Sequence, residues 1–300
     1  MDDIISFKHN QTSGTLPLTN INLYSYGDKL KIPFFSSSFH SNKTLDESLK
    51  RLESTSGPLV IKDGKIITNK DVKLTSKFPC YILLWPKDGK SDLKFGQGFY
   101  YGSNFIMTAK HVIKDYNNFN IYALFFPTYT LLNMCLIFKC YNTLPNLYNR
   151  HFKNQDIAII QLQGSSDLLQ YMQLEIGELN ENEELYFYKL ECGCFVRQKC
   201  TILKSPHLYI REKMYDNEFV ISKAGKEGDS GTPIFSSSGI CVGLYFGVFT
   251  EKRSLNPVEY GRALKFDRNV FRNNCIINFF SSIPTLPIFP NVINNLSSLF

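Results

Sequence analysis

From Cys80 onward the chain repeats one pattern, short apolar or alternating runs of four to seven residues cut off by Gly, Pro, Asn, Asp or Ser. Cys80–Trp85, Tyr122–Phe126, Met134–Cys140, Ile157–Leu162, Glu184–Lys189, Cys200–Lys204, Phe219–Ser222, Pro233–Ser236, Ile240–Phe246 and Gly261–Phe266 all fit it. Runs this short are rich in β-branched and aromatic residues and fall below the length of an ordinary helix, so they read as strands. No helix-sized segment separates most of them, and parallel strands need such crossovers. The pattern therefore predicts an all-β chain of antiparallel barrels rather than a parallel sheet. The polar stretch Asn180-Glu181-Asn182-Glu183 fits a connection between two barrels.

The glycine-rich stretch Gly225-Lys226-Glu227-Gly228-Asp229-Ser230-Gly231 breaks this pattern just before Pro233-Ile234-Phe235. Glycines on both sides let the backbone fold tightly around one hydroxyl. A serine held there can act as a nucleophile, and the N–H groups of Gly228 and Ser230 can converge on an oxyanion. Such chemistry needs a base and an acid to orient it. Gly96–Ile113 reads as strand, tight turn, strand and a helical turn that carries His111. Asn154-Gln155-Asp156-Ile157-Ala158 puts a carboxylate at the mouth of an apolar strand. An imidazole takes the serine proton, and a carboxylate fixes the imidazole tautomer. His9, His40, His151 and His207 lack a comparable setting, and Asp115 and Asp167 are weaker candidates for the acid.

These three motifs resemble those of the trypsin/chymotrypsin-like (PA clan) serine proteases, of the disulfide-poor intracellular or viral type. His111 matches the family's Thr-Ala-x-His motif, Asp156 its Asp-Ile-Ala motif and Ser230 its Gly-Asp-Ser-Gly motif, over about residues 77–272. The resemblance implies two antiparallel six-stranded β-barrels of the chymotrypsin type, with the catalytic cleft between them. It also implies a catalytic triad of His111, Asp156 and Ser230, an oxyanion hole of Gly228 and Ser230, and peptide-bond hydrolysis without metal or organic cofactor. In secreted relatives the aspartate matching Asp229 pairs with an N-terminus released by cleavage. No Ile-Val-Gly-Gly start stands near residues 65–80, so Asp229 is expected to take another donor, a Lys, an Arg or a backbone N–H. The resemblance further implies a primary pocket with Ala224 as its floor and Tyr245, Phe246, Gly247, Gly261 and Ala263 as its walls. An uncharged floor would leave a buried ammonium or guanidinium unpaired, so cleavage after apolar or aromatic residues is expected. Lys223, Lys226 and Arg262 leave a preference for acidic residues as the rival.

Composition narrows the alternatives. With 43% apolar, 14% aromatic and 20% charged residues, the 300-residue chain can bury a sizeable core. The net charge of +6 is mild and no Lys/Arg block stands out, so nucleic-acid binding is not indicated. No window reaches the apolar length of a membrane span, and the acidic opening Met1-Asp2-Asp3-Ile4-Ile5 leads to the expectation of no signal peptide. An intracellular protein, cytoplasmic or nuclear, is expected. The eight cysteines fit this, because the resembling secreted enzymes carry a cysteine where Val112 stands here. Cys192, Cys194, Cys200 and His207 form the one zinc option, but their spacing matches no standard pattern, and no metal is expected.

The resulting division is an N-terminal extension over 1–75, a protease domain over 76–275 and a Pro-containing apolar tail over 276–300. Within the extension, Asn20–Tyr26 and Lys29–Phe35 read as a hairpin, Thr44–Leu52 as an amphipathic helix, and Leu59–Ile61 and Lys65–Thr68 as strands around Lys62-Asp63-Gly64. That order resembles the opening of a ubiquitin-like module. A pro-region is the alternative. The expected partners are protein or peptide substrates, with self-cleavage at the extension or tail as an option. The competing function is a catalytically inactive protease-like binding module.

Overall fold

The strand-forming runs pair into two antiparallel sheets in the computed structural model, which describes residues 5–6, 58–62, 65–67, 79–88, 94–102, 104–114, 116–126, 134–141, 155–164, 169, 173–191, 194–204, 217–251 and 258–266. In chain order the strands are β1 (Ile5–Ser6), β2 (Leu59–Lys62), β3 (Lys65–Ile67), β4 (Cys80–Pro86), β5 (Lys94–Gly102), β6 (Phe105–Ala109), β7 (Phe119–Phe125), β8 (Met134–Tyr141), β9 (Ile157–Leu162), β10 (Leu185–Glu191), β11 (Cys194–Cys200), β12 (Glu218–Ile221), β13 (Pro233–Ser236), β14 (Cys241–Glu251) and β15 (Val258–Lys265). The first sheet runs β8-β7-β4-β5-β6-β9, and pairing of Cys140 with Leu162 and Tyr141 with Gln161 closes it into a six-stranded barrel. The second runs β11-β10-β13-β14-β15-β12. A bridge between Ile202 and Ile221, flanked by Leu203 N–H to Val220 O (2.7 Å) and Ser222 N–H to Thr201 O (2.9 Å), brings its two outer strands together. The fold is thus all-β, with the two-barrel chymotrypsin-like architecture.

Period-2 geometry explains the apolar runs. Cys80, Ile82 and Leu84 of β4 point into the first barrel's core with Phe99, Ile106, Phe125 and Phe138. The intervening Tyr81 is also buried, edge-on to Phe126 at 5.7 Å, so β4 is covered on both faces and reads as a continuous apolar stretch. In the second barrel Leu185, Phe187, Phe219, Ile221, Ile234 and Val242 fill the interior. The core of the first barrel continues through Phe235, Leu244, Phe246 and Phe266 of the second, with Phe99 and Phe266 rings 6.0 Å apart. The barrels therefore share one apolar interface, and the elements that meet at its rim can hold a site rigidly. The connecting segment makes a turn at Asn180, whose carbonyl accepts Glu183 N–H and whose side chain accepts Asn182 N–H, an Asx turn of the kind its composition predicts.

Two elements differ from the expectation. The strand expected at Cys200–Lys204 is Cys194–Cys200 instead, paired with β10 from Glu191 opposite Cys194 to Leu185 opposite Cys200. Register with β10 decides this, since the partner strand is used up at Cys200. The strands expected at 59–61 and 65–68 form the hairpin β2–β3, but β2 pairs with β8 (Leu59 opposite Ile137), which joins the hairpin to the first sheet rather than to a separate module. The hairpin and helix expected over 20–52, the short helix expected near 269–275 and the tail lie outside the described residues.

Cys80, Cys135, Cys140, Cys200 and Cys241 are free thiols buried in the sheets. Burial raises all five thiols, Cys200 to about 12, which fits inert core packing. Cys192 and His207 lie outside the described residues, and no three metal-ligating side chains converge among those described. No helix among the described residues is long and apolar enough to cross a membrane.

Candidate active site

His111 and Asp156 are brought together by strand register. β6 and β9 pair with Ala109 opposite Ile157, so the residue after β6 and the residue before β9 meet. Lys110 N–H donates to Asp156 O at 3.2 Å there. The chain then makes a 3-10 turn over Lys110–Ile113, with Val112 and Ile113 buried and His111 on the other side. Asp156 Oδ1 accepts the His111 backbone N–H at 2.9 Å, and Oδ2 lies 2.5 Å from His111 Nδ1. A carboxylate only accepts, so the Nδ1 facing it carries the hydrogen, and in the neutral ring Nε2 keeps its lone pair. The two side chains are 13% and 14% exposed, which shields the pair from water without sealing it off.

Ser230 sits where the glycine-rich turn of the second barrel abuts the first. Lys226–Asp229 is a β-turn closed by Asp229 N–H to Lys226 O at 3.0 Å, with Gly228 in its third position at φ +86°. A type II turn demands a positive φ there, and glycine supplies it. The turn type fixes which way the Glu227–Gly228 peptide faces, and so where the Gly228 N–H points. Among the described residues no acceptor takes up the N–H of Gly228 or of Ser230. Gly231 follows at φ +91°, so close to the first barrel that a Cβ would lie 1.9 Å from Gln97 O and 2.6 Å from Thr108 Oγ1. Only glycine allows this approach. Gly96 makes a second close contact, where a Cβ would meet the Val112 methyls at 2.7 Å and Ser230 O at 3.2 Å. Residue 112, next to His111, and Ser230 thus lie on two sides of one glycine. Ser230 is fully buried, and neither Ser230 Oγ nor His111 Nε2 has a hydrogen-bond partner among the described residues. The Oγ–Nε2 hydrogen bond is not formed in this structure.

Two donors among the described residues tie Asp229 in place. Gln97 Nε2 reaches Oδ1 at 3.0 Å and Lys226 N–H reaches Oδ2 at 2.7 Å. The backbone donor is of the kind expected from sequence, but the side-chain donor is a glutamine of the first barrel that the sequence reading missed. Asp229 is 3% exposed, and its charge adds to burial in holding the Tyr81 phenol well above its ordinary range.

The residues expected to form the primary pocket lie on or beside paired strands of the second barrel. Tyr245 is 1% exposed and stacks on Phe187, with ring centroids 5.5 Å apart. Its hydroxyl accepts Gly225 N–H at 2.9 Å, beside the expected floor Ala224, and its ring lies where a Gly225 side chain would be. The space at Gly261 is taken by Lys223 O and Ile221, which a Cβ would meet at 2.5 and 2.6 Å. Ala263 is part of the second barrel's core, and Phe246 is buried below Arg262. Gly247 marks a bulge, as the register of β14 with β15 shifts between Tyr245 and Gly247. Arg262 is held by Glu218 through Nε–Oε1 (2.5 Å) and Nη2–Oε2 (3.0 Å), so its charge is already matched by a fully buried carboxylate.

Residues 66–266 match the family model described as Trypsin. No curated protein matches the sequence. Among solved structures, a serine protease of a human pathogenic astrovirus is 18% identical with TM-score 0.41, the match covering 66% of this chain and 94% of that one. A protease of M. tuberculosis in its active form is 17% identical with TM-score 0.44, covering 71% and 84%. An inactivated protease paralogue of the scabies mite is 16% identical with TM-score 0.46, covering 67% and 95%. With TM-scores below 0.5 these likenesses bear no weight. The family match alone spans about two thirds of the chain, and on it the protein belongs to the trypsin family.

Proposed function

We propose that the chain is a serine endopeptidase that hydrolyses peptide bonds through an acyl-enzyme on Ser230. The observation that carries this reading is the His111–Asp156 pair, in which one carboxylate oxygen takes the His111 backbone N–H and the other faces Nδ1, favouring the tautomer that leaves Nε2 basic. Nε2 takes the Ser230 hydroxyl proton as Oγ bonds to the scissile carbonyl carbon, and the oxyanion receives the Gly228 and Ser230 N–H groups. The imidazolium gives that proton to the leaving amine nitrogen. Water then attacks the acyl-enzyme by the same route in reverse. The chemistry requires no metal or organic cofactor, and the substrates are proteins or peptides. Five buried free thiols support a place in a reducing, intracellular compartment.

For specificity, an uncharged Ala224 and an Arg262 already matched by Glu218 favour apolar residues over basic or acidic ones. Tyr245 beside the floor limits their size. Digestion of a proteome-derived peptide library, read by mass spectrometry, is expected to give cleavage after apolar residues, the smaller ones favoured over Phe and Tyr. Dominant cleavage after Arg/Lys or after Asp/Glu contradicts this pocket.

The second reading, a catalytically inactive protease-like binding module, has two observations on its side, the full burial of Ser230 and the missing bond to Nε2. Against it, the acid, base and nucleophile candidates are all present. Closure of an Oγ–Nε2 contact on substrate binding is ordinary in such sites.

A further inference from the structure

We propose that Gln97 is a positioning residue that holds the nucleophile turn in its working geometry. The inference rests on Ser230 being the nucleophile. Gln97 stands on β5, 1% exposed, and meets three consecutive residues of the turn with three different groups. Its amide Nε2 donates to Asp229 Oδ1 at 3.0 Å. Its backbone N–H donates to Ser230 O at 2.8 Å. Its carbonyl oxygen is the atom against which Gly231 packs, and the same oxygen accepts Thr108 Oγ1 at 2.6 Å.

The side chain is more than a filler. Asp229 can only accept, so the amide is fixed with Nε2 toward it, and Oε1 is left buried without a partner among the described residues. An apolar side chain would fill the same space without that loss. What the amide adds is the bond to Asp229. Asp229 in turn ties both ends of the β-turn, through its own N–H to Lys226 O and through Oδ2 to Lys226 N–H. Releasing the carboxylate loosens the turn that aims Gly228 and Ser230 N–H. Because the donor at Oδ1 is a neutral amide built into the first barrel, this bond depends neither on a free N-terminus nor on a protonated side chain.

Among the described residues, the titratable groups at this clasp include Tyr81 on β4, whose buried phenol feels the Asp229 charge, and Lys226 and Glu227 on the turn itself, with exposed side chains. A variant that makes the residue facing Oδ1 titratable introduces a pH dependence that the native amide lacks. In Gln97→Glu two buried carboxyls share a site, which raises the affinity for one shared proton. Below that raised apparent pKa the shared proton bridges the introduced carboxyl and Asp229. Above it both are charged and the turn is expelled.

The test uses the full chain. Gln97→Leu is expected to lower kcat about 10-fold to 100-fold, toward the loss of one oxyanion donor, with KM little changed. Gln97→Glu is expected to work at the acid end of the profile and to lose activity on the alkaline side, where the native enzyme does not. Hydrogen exchange of the 226–231 segment, measured on the same proteins, should be faster in Gln97→Leu. Native kcat in Gln97→Leu, or a native pH profile in Gln97→Glu, overturns the proposal. If Gln97→Leu does not fold, the Gln97→Glu profile decides alone. A native chain with no Ser230-dependent turnover sinks the enzyme reading itself and with it any catalytic role for Gln97, even if exchange shows the clasp to be real.

Discussion

Replacing Ser230 with Ala is expected to lower kcat by about 10⁴–10⁶-fold while leaving the protein at least as stable as before. The two halves of this expectation have separate causes. Loss of Oγ removes the only atom that can form the acyl bond, so what remains is oxyanion stabilisation and binding alone. The fold is spared because the turn is held by backbone and by Asp229, through Gln97 N–H to Ser230 O, Gly231 N–H to Tyr245 O and Thr232 N–H to Asp229 O. Ser230 Oγ is itself a buried hydroxyl with no partner among the described residues, so deleting it removes a desolvation cost. His111→Ala is expected to lose the same scale of activity but also some stability, because Asp156 Oδ2 loses its side-chain donor. Steady-state kinetics and thermal melts on the two variants check this. Retained turnover in either overturns the assignment.

Asp156→Asn is expected to lower kcat by about 10⁴-fold near neutral pH, although the change is nearly isosteric. The reason lies in how the two oxygens are used. Oδ1 accepts the His111 backbone N–H at 2.9 Å, so the amide oxygen of the variant is drawn to that side. The NH₂ group then faces Nδ1, where Oδ2 now stands at 2.5 Å. A donor at that place forces Nδ1 to accept, the ring hydrogen moves to Nε2, and the base that should take the Ser230 proton is lost. The expected mark is a fall in kcat with KM little changed and the fold intact. A variant with near-native kcat would show that Asp156 does not set the tautomer.

Much of the frame was legible in the sequence because strands and motif contexts are local. The run Cys80–Trp85 carries its strand signal in six consecutive residues, and the Thr-Ala-x-His and Asp-Ile-Ala contexts each fit within one strand end. The meeting of His111 and Asp156 follows once those two strands pair. β11 was less legible, since its charged residues Arg197 and Lys199 look out from a half-exposed strand and its apolar signal is weak. Gly261 and Ala263 look like open space in a sequence, but a missing side chain can equally let backbone come close, as Lys223 O does at Gly261. Gln97 was beyond reach altogether, because its partner Asp229 lies 132 residues away and nothing in the local run Phe95-Gly96-Gln97-Gly98 marks it. Contacts set by the docking of two barrels leave little trace in either strand alone.

The central claim is that Ser230 is a nucleophile activated by His111. The most direct measurement is covalent labelling of the folded full-length chain with a fluorophosphonate, followed by peptide mass spectrometry. The expected result is one adduct on the peptide that contains Ser230, absent in Ser230→Ala and strongly slowed in His111→Ala. A folded native protein that takes up no label, or takes it up equally well without Ser230, would contradict the account.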